Sequence, residues 1–241
     1  MALTIPTNIV FLEQSVERLR IIRDVFELGR HYMHPHDQRV SDIAACLSAD
    51  CLAVRKSHLI MTRPNLLGLP ALPELPAGYL ICECGPADAD ELARLLSAAF
   101  EDETWTSLRV DCALLAASDV IITFGIRHKH QIVATASLRH MADRYPHDGY
   151  VHWVASDPEH RGKNLGRIVS LAVLYAAHAH SFGAAWLERD DFRLADVRTY
   201  LYLGFQPFIE SADHTERWLA VMRALGRDDL GRMVSIDAVS L

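Results

Sequence analysis

"SDPEHRGKNLG", residues 156–166, separates two runs of different periodicity. Before it, "GYVHWVA" (149–155) is rich in β-branched and aromatic residues, the composition of a strand. After it, "RIVSLAVLYAAHAH" (167–180) is apolar at helical spacing. A strand that enters a helix through a glycine-bearing loop leaves backbone N–H groups without helical partners, at the positive end of the dipole. Such a junction favours a phosphate group. The loop is not a Walker loop, since no GxxxxGK[ST] occurs, and it is not a dinucleotide GxGxxG.

Outward from this junction, the bulk numbers bound the answer. The chain has 241 residues, of which 50% are apolar and 23% charged, enough for one good core plus an accessory segment. A net charge of −7 argues against nucleic acid, whose binding rests on basic side chains, and suits a cationic small substrate slightly better. Apolar runs such as "VIITFGI" (120–126) fall far short of the roughly 20 residues that a membrane span needs. The N-terminus lacks the basic region of a secretory signal. Five cysteines, an odd number with no CxxC, fit a reduced, cytoplasmic setting.

In residues 1–76, Leu12, Val16, Leu19, Ile22 and Phe26 form one helical stripe, so a mainly helical accessory segment is expected. Its histidines His31, His34 and His36 invite a zinc reading. Pro35 breaks single-face geometry and no ligand cluster recurs downstream, so no metal is expected. Four of the ten prolines fall within residues 64–76, which reads as a semi-rigid connector and a domain boundary. Residues 77–226 then alternate as β-αα-βββ-α-β-α-β, with Asp88 placed to cap the first helix and residues 107–118 reading as a second one. A short tail, 227–241, follows.

The loop resembles motif A of the Gcn5-related (GNAT) N-acetyltransferases, an Arg/Gln-x-x-Gly-x-Gly/Ala signature, in Arg161, Gly162, Lys163, Asn164, Leu165 and Gly166. Asn164 stands where the first signature glycine is expected. Asparagine is the side chain most at ease in the left-handed region and is also a good helix N-cap, so the loop geometry is expected to survive. "DVRTYLYLGF" (196–205) resembles motif B, with Tyr200 three residues before Leu-Gly-Phe and Arg193 in place of a frequent asparagine. The resemblance covers residues 78–226.

That resemblance implies an α/β fold with a mixed, mostly antiparallel central sheet flanked by helices. It implies transfer of an acetyl group from acetyl-CoA to a primary amine, small-molecule or peptide, by direct attack on the thioester. The amides of residues 161–166 would hold the pyrophosphate at the start of the helix, with Lys163 and Arg167 as ionic aids. Main-chain N–H groups of Val154, Ala155 and Ser156 would meet the acetyl carbonyl, and Tyr200 would protonate the departing thiolate. For the general base two readings stand, His152, which alternation sets on the same strand face as Val154, and Glu103. Glu101 and Asp102 are expected to bind a cationic acceptor, and an exposed Trp105 and Trp153 to wall its pocket. Against these stand a satisfied strand histidine, a solvated acidic turn and core tryptophans. The N-terminal segment would roof the acceptor site or make a homodimer contact. The rival function is an acyl-CoA-binding regulatory module without turnover.

Overall fold

The computed structural model describes residues 58–100 and 103–227. Among these, strands β1 (Leu59–Arg63), β2 (Tyr79–Glu83), β3 (Val120–His128), β4 (Gln131–Arg139), β5 (Gly149–Ser156), β6 (Ala185–Arg189) and β7 (Gln206–Phe208) form one sheet. Their order is β2-β3-β4-β5-β6-β1-β7. Helices α1 (Ala89–Ala99), α2 (Ser107–Val110), α3 (Leu165–Ala179), α4 (Leu194–Tyr202) and α5 (Ala212–Ala224) flank it. The expected mixed, mostly antiparallel sheet is what the chain builds. The helical stripe at 12–26, the histidines at 31, 34 and 36, and the tail beyond 227 lie outside the described residues.

β4 shows why the sheet is covered on both faces. Seven consecutive residues, Ile132 to Leu138, are buried, so no polar face is left for water. Val133, Ala134 and Ala136 join the core that α3 and α5 complete, whereas Ile132 joins Leu92, Leu95 and Leu96 of α1.

Every strand pairing is antiparallel except β5–β6, which is parallel and holds only at Gly149↔Ala185 and Tyr150↔Trp186. Beyond Tyr150 the two strands part. The gap between them is the opening in which the candidate site lies.

The sheet begins before the proline-rich connector. β1 is buried along all five residues and is inserted between β6 and β7, in a compact unit that starts at Arg55. Residues 64–76 therefore carry the chain from near one edge of the sheet to the other, where β2 lies. They are irregular, as their prolines require, but they are not a free linker. Leu66 is 3% exposed in the core, and the Tyr175 hydroxyl of α3 donates to the Pro70 carbonyl at 3.0 Å.

Two local expectations are corrected. Asp88 sits at the N-cap of α1 without bonding its amides; its carboxylate accepts from Gly85 N at 2.9 Å and pairs with Arg127. Residues 107–118 do not form one regular helix. A single turn, α2, gives way to a π-helical stretch over Asp111–Leu115.

Candidate active site

β5 carries a bulge where it enters the gap. Thr135 pairs with Ala155 and Ser137 with His152, so Trp153 and Val154 together oppose Ala136. Trp153 takes φ +46°, a strained conformation for a bulky side chain and one that persists only where its surroundings enforce it. The bulge breaks the alternation read from the sequence. His152, Trp153 and Val154 all line the same cavity.

The loop after β5 has the geometry that its glycines would give. Gly162 takes φ +78°, and Asn164 takes φ 56°, ψ 23°, the left-handed conformation of the glycine it replaces. Its side chain does not cap α3; only its carbonyl engages the helix, accepting from Ile168 N at 3.0 Å. At Gly166, a Cβ would lie 3.1 Å from Ser156 Oγ, so the first turn of α3 rides close over the end of β5. Asp157 pins the loop from beneath. One carboxylate oxygen accepts from Glu159 N at 3.0 Å and the other from Arg94 Nη1 at 3.0 Å, while Arg94 Nη2 donates to the Ile132 carbonyl at 2.7 Å. Burial works against the Asp157 carboxylate, but the Glu159 amide and Arg94 hold its pKa below the usual range.

Above the loop lies a cavity of about 670 Å³. Val154, Ala155 and Ser156 of β5 line it, as do Arg161, Gly162, Asn164, Leu165, Gly166 and Arg167. Lys163 is not among the lining residues. The Arg167 guanidinium lies 4.8 Å from the Tyr202 ring, which is 64% exposed. A helix N-terminus, two residues in left-handed conformation, a glycine whose Cβ would crowd the strand, and two arginines suit a pyrophosphate.

A second cavity of about 600 Å³ meets the first. Phe100, Val154, Phe192, Arg193 and Tyr200 line both. Tyr200 is 2% exposed, and its hydroxyl accepts from Arg189 Nη2 at 2.6 Å and lies beside the Ser170 hydroxyl. Burial pushes this phenol's pKa up, against the opposing pull of Arg189, so it holds its proton at neutral pH. Arg193 precedes α4 with its guanidinium 5.0 Å from the Phe100 ring, spanning the two cavities.

The second cavity also contains both candidate bases. Burial first, and Arg139 second, push His152 down to about 3, and its Nδ1 is buried without a partner. Glu103 is ion-paired with Arg109 at 2.5 Å. Trp153 walls the cavity, but Trp105 does not. Trp105 is 5% exposed, lies 4.5 Å behind Trp153 and is covered by Arg109 at 4.1 Å, so the exposed pocket tryptophan read from the acidic loop is a core residue. Glu101 and Asp102 lie outside the described residues. Sequence reasoning missed His58, Phe100, Glu188, Arg189 and Phe192. Only the position of Arg189, at the end of a strand, carried any local signal; the rest become neighbours through strand register and loop path.

Among the described residues, no group of three or more His, Cys, Asp or Glu could hold a metal, and no helix is long and apolar enough to cross a membrane.

Residues 89–205 match the model of the acetyltransferase (GNAT) family. A mycothiol acetyltransferase of Nocardia farcinica is 31% identical over 177 residues, covering 68% of this chain and 58% of that protein. A second, from Gordonia bronchialis, is 30% identical over 177 residues, covering 67% and 56%. The chain thus spans little more than half the length of these relatives. Among solved structures, an acetyltransferase of the GNAT family from Colwellia psychrerythraea aligns with a TM-score of 0.52 at 15% identity, covering 68% of this chain and 57% of that one. At that identity the likeness concerns the fold.

Proposed function

Because this chain belongs to the acetyltransferase (GNAT) family through residues 89–205, we propose that it transfers an acetyl group from acetyl-CoA to a primary amine, which attacks the thioester directly. The observation that carries this reading is the meeting of two cavities at Tyr200. One has a helix N-terminus and two arginines that suit a phosphate ligand, and the other is lined by the carboxylates of Glu103, Glu188 and Asp190.

Acetyl-CoA supplies the acetyl group as a thioester. Within this chain, the first turn of α3 and the 161–166 loop hold the pyrophosphate, and Arg161 and Arg167 add positive charge. The β5 bulge leaves Val154 out of the regular ladder, and Val154 lines both cavities. A donor there, preorganised toward a developing oxyanion, contributes roughly 3 kcal/mol. Tyr200 donates the proton that a departing thiolate takes, and Arg189 orients the phenol. The carboxylates receive a cationic amine and bring it toward the bulge.

The two relatives described above are named mycothiol acetyltransferases, so the acceptor of those proteins is the first to test. A second reading, acyl-CoA binding without turnover, draws support from the state of the two expected bases. His152 holds a proton poorly at pH 7, and Glu103 is engaged by Arg109. Incubation of the protein with acetyl-CoA and a panel of amines separates the two readings. Thiol release with a product heavier by one acetyl group supports transfer. Acetyl-CoA binding with no thiol release across the panel favours the binding module.

A further inference from the structure

β1 brings one more titratable group to the acceptor cavity, from before the connector. In the β1–β6 register, Ile60 faces Glu188 and Leu59 faces Arg189, so His58 falls opposite Asp190 at the strand's start. Its imidazole bridges two carboxylates, with Nδ1 3.5 Å from Glu188 Oε2 and Nε2 3.5 Å from Asp190 Oδ1. The side chain is about one-third exposed and lines the cavity with Tyr150 and His152. We propose that His58 is the proton acceptor of the transfer reaction, taking a proton from the acceptor ammonium at the mouth of the cavity between Glu188 and Asp190.

This assignment rests on the acetyl-transfer reading and deepens it. An alkyl ammonium has a pKa of about 10.4 and no lone pair until it loses a proton. Of the described titratable groups in this cavity, His152 is too weakly basic, Tyr150 is a buried phenol that stays protonated, and Glu103 is paired with Arg109. Glu188 is held below the usual carboxylate range, first by its hydrogen bond to His58 and then by Arg144, whose Nη1 lies 2.6 Å away. Asp190 is also bridged to Arg193 at 3.4 Å. Among the described residues, the groups facing His58 include two carboxylates, each with an arginine behind it. In the neutral imidazole Nδ1–H donates to Glu188 and the Nε2 lone pair faces Asp190, so an ammonium that enters between Nε2 and Asp190 meets the nitrogen that takes its proton and a carboxylate that steadies its charge.

The protons balance. The ammonium N–H bond breaks and a His58 N–H bond forms, leaving a neutral amine whose lone pair forms the new N–C bond as the C–S bond breaks. The thiolate takes the Tyr200 proton. The surplus proton on the new amide nitrogen restores Tyr200, and His58 returns its proton to water.

The test uses His58→Ala and His58→Gln in the full chain, with the best amine of the wild-type panel and with acetyl-CoA titrated by calorimetry. We expect both variants to bind acetyl-CoA as the wild type does, and kcat/KM at pH 7 to fall by about 10²–10⁴-fold. The deficit should shrink by roughly tenfold per pH unit toward the amine's own pKa, and added imidazole should restore part of the rate in His58→Ala. A variant whose rate and pH profile run parallel to the wild type overturns the assignment alone. Acetyl-CoA binding by the wild type with no acceptor turnover overturns the transfer reading, and this assignment with it.

Discussion

Arg189 Nη2 donates to the Tyr200 hydroxyl at 2.6 Å, and both groups are buried beside the gap between β5 and β6. Tyr200→Phe keeps the ring and removes both the proton donor and Arg189's acceptor. Turnover should fall about 10²–10⁴-fold with acetyl-CoA affinity little changed. Stability should drop by about 0.5–1.5 kcal/mol, because the hydrogen bond is lost while Arg189 Nη2 keeps Asp196 Oδ2 at 3.5 Å. The phenol's raised pKa fixes the sign of the pH effect. It donates while protonated, so kcat should show no loss of this donor between pH 7 and the ordinary phenol value of about 10. Steady-state kinetics and chemical denaturation check both halves.

Asn164 is held at φ 56° with no capping bond from its side chain. Asn164→Gly should keep or improve both stability and acetyl-CoA affinity. Asn164→Val places a β-branched residue in the left-handed region and should lose about 1–2 kcal/mol of stability, with weaker coenzyme binding. Calorimetry and thermal unfolding of the two variants measure the contrast.

Leu66 is 3% exposed and Leu67 72%, although they are neighbours in the same irregular strap. Leu66→Ala should cost about 3 kcal/mol and lower Tm by about 8 °C, whereas Leu67→Ala should change little. Equal, small effects would mean that residues 64–76 are a linker after all.

His152 sits near a pKa of 3 when folded and would titrate at about 6.5 when unfolded. Between those values the unfolded chain binds the extra proton, so stability contributed by the neutral imidazole is present above pH 6.5 and is lost as pH falls toward 3. From pH 7 to pH 5 the wild type should lose about 2 kcal/mol more than His152→Gln. Urea midpoints at the two pH values read this directly, and parallel losses would contradict it.

Local patterns predicted most of what positions the site. The change of period across residues 156–166 placed a strand, a glycine-bearing loop and α3, and the choice of asparagine at 164 foretold its left-handed backbone. The Tyr200 spacing placed the phenol at the junction of the cavities. What was not legible depends on events between strands. Nothing in "YVHWVAS" marks a bulge, yet three consecutive residues at that bulge line the cavity. Trp105 looked exposed because acidic residues precede it, while Trp153, 48 residues later, buries it. β1 lay behind four prolines and so read as part of another unit, whereas its register with β6 is what sets His58 against Glu188 and Asp190.

We propose that the residue 156–166 junction binds acetyl-CoA. Calorimetric titration of the wild type beside Gly166→Glu tests it most directly. A carboxylate at 166 would start from a Cβ only 3.1 Å from Ser156 Oγ and bring negative charge to the pyrophosphate site. Micromolar binding in the wild type and its loss in the variant are the expected results. No binding by the wild type, or equal binding by both proteins, would contradict it.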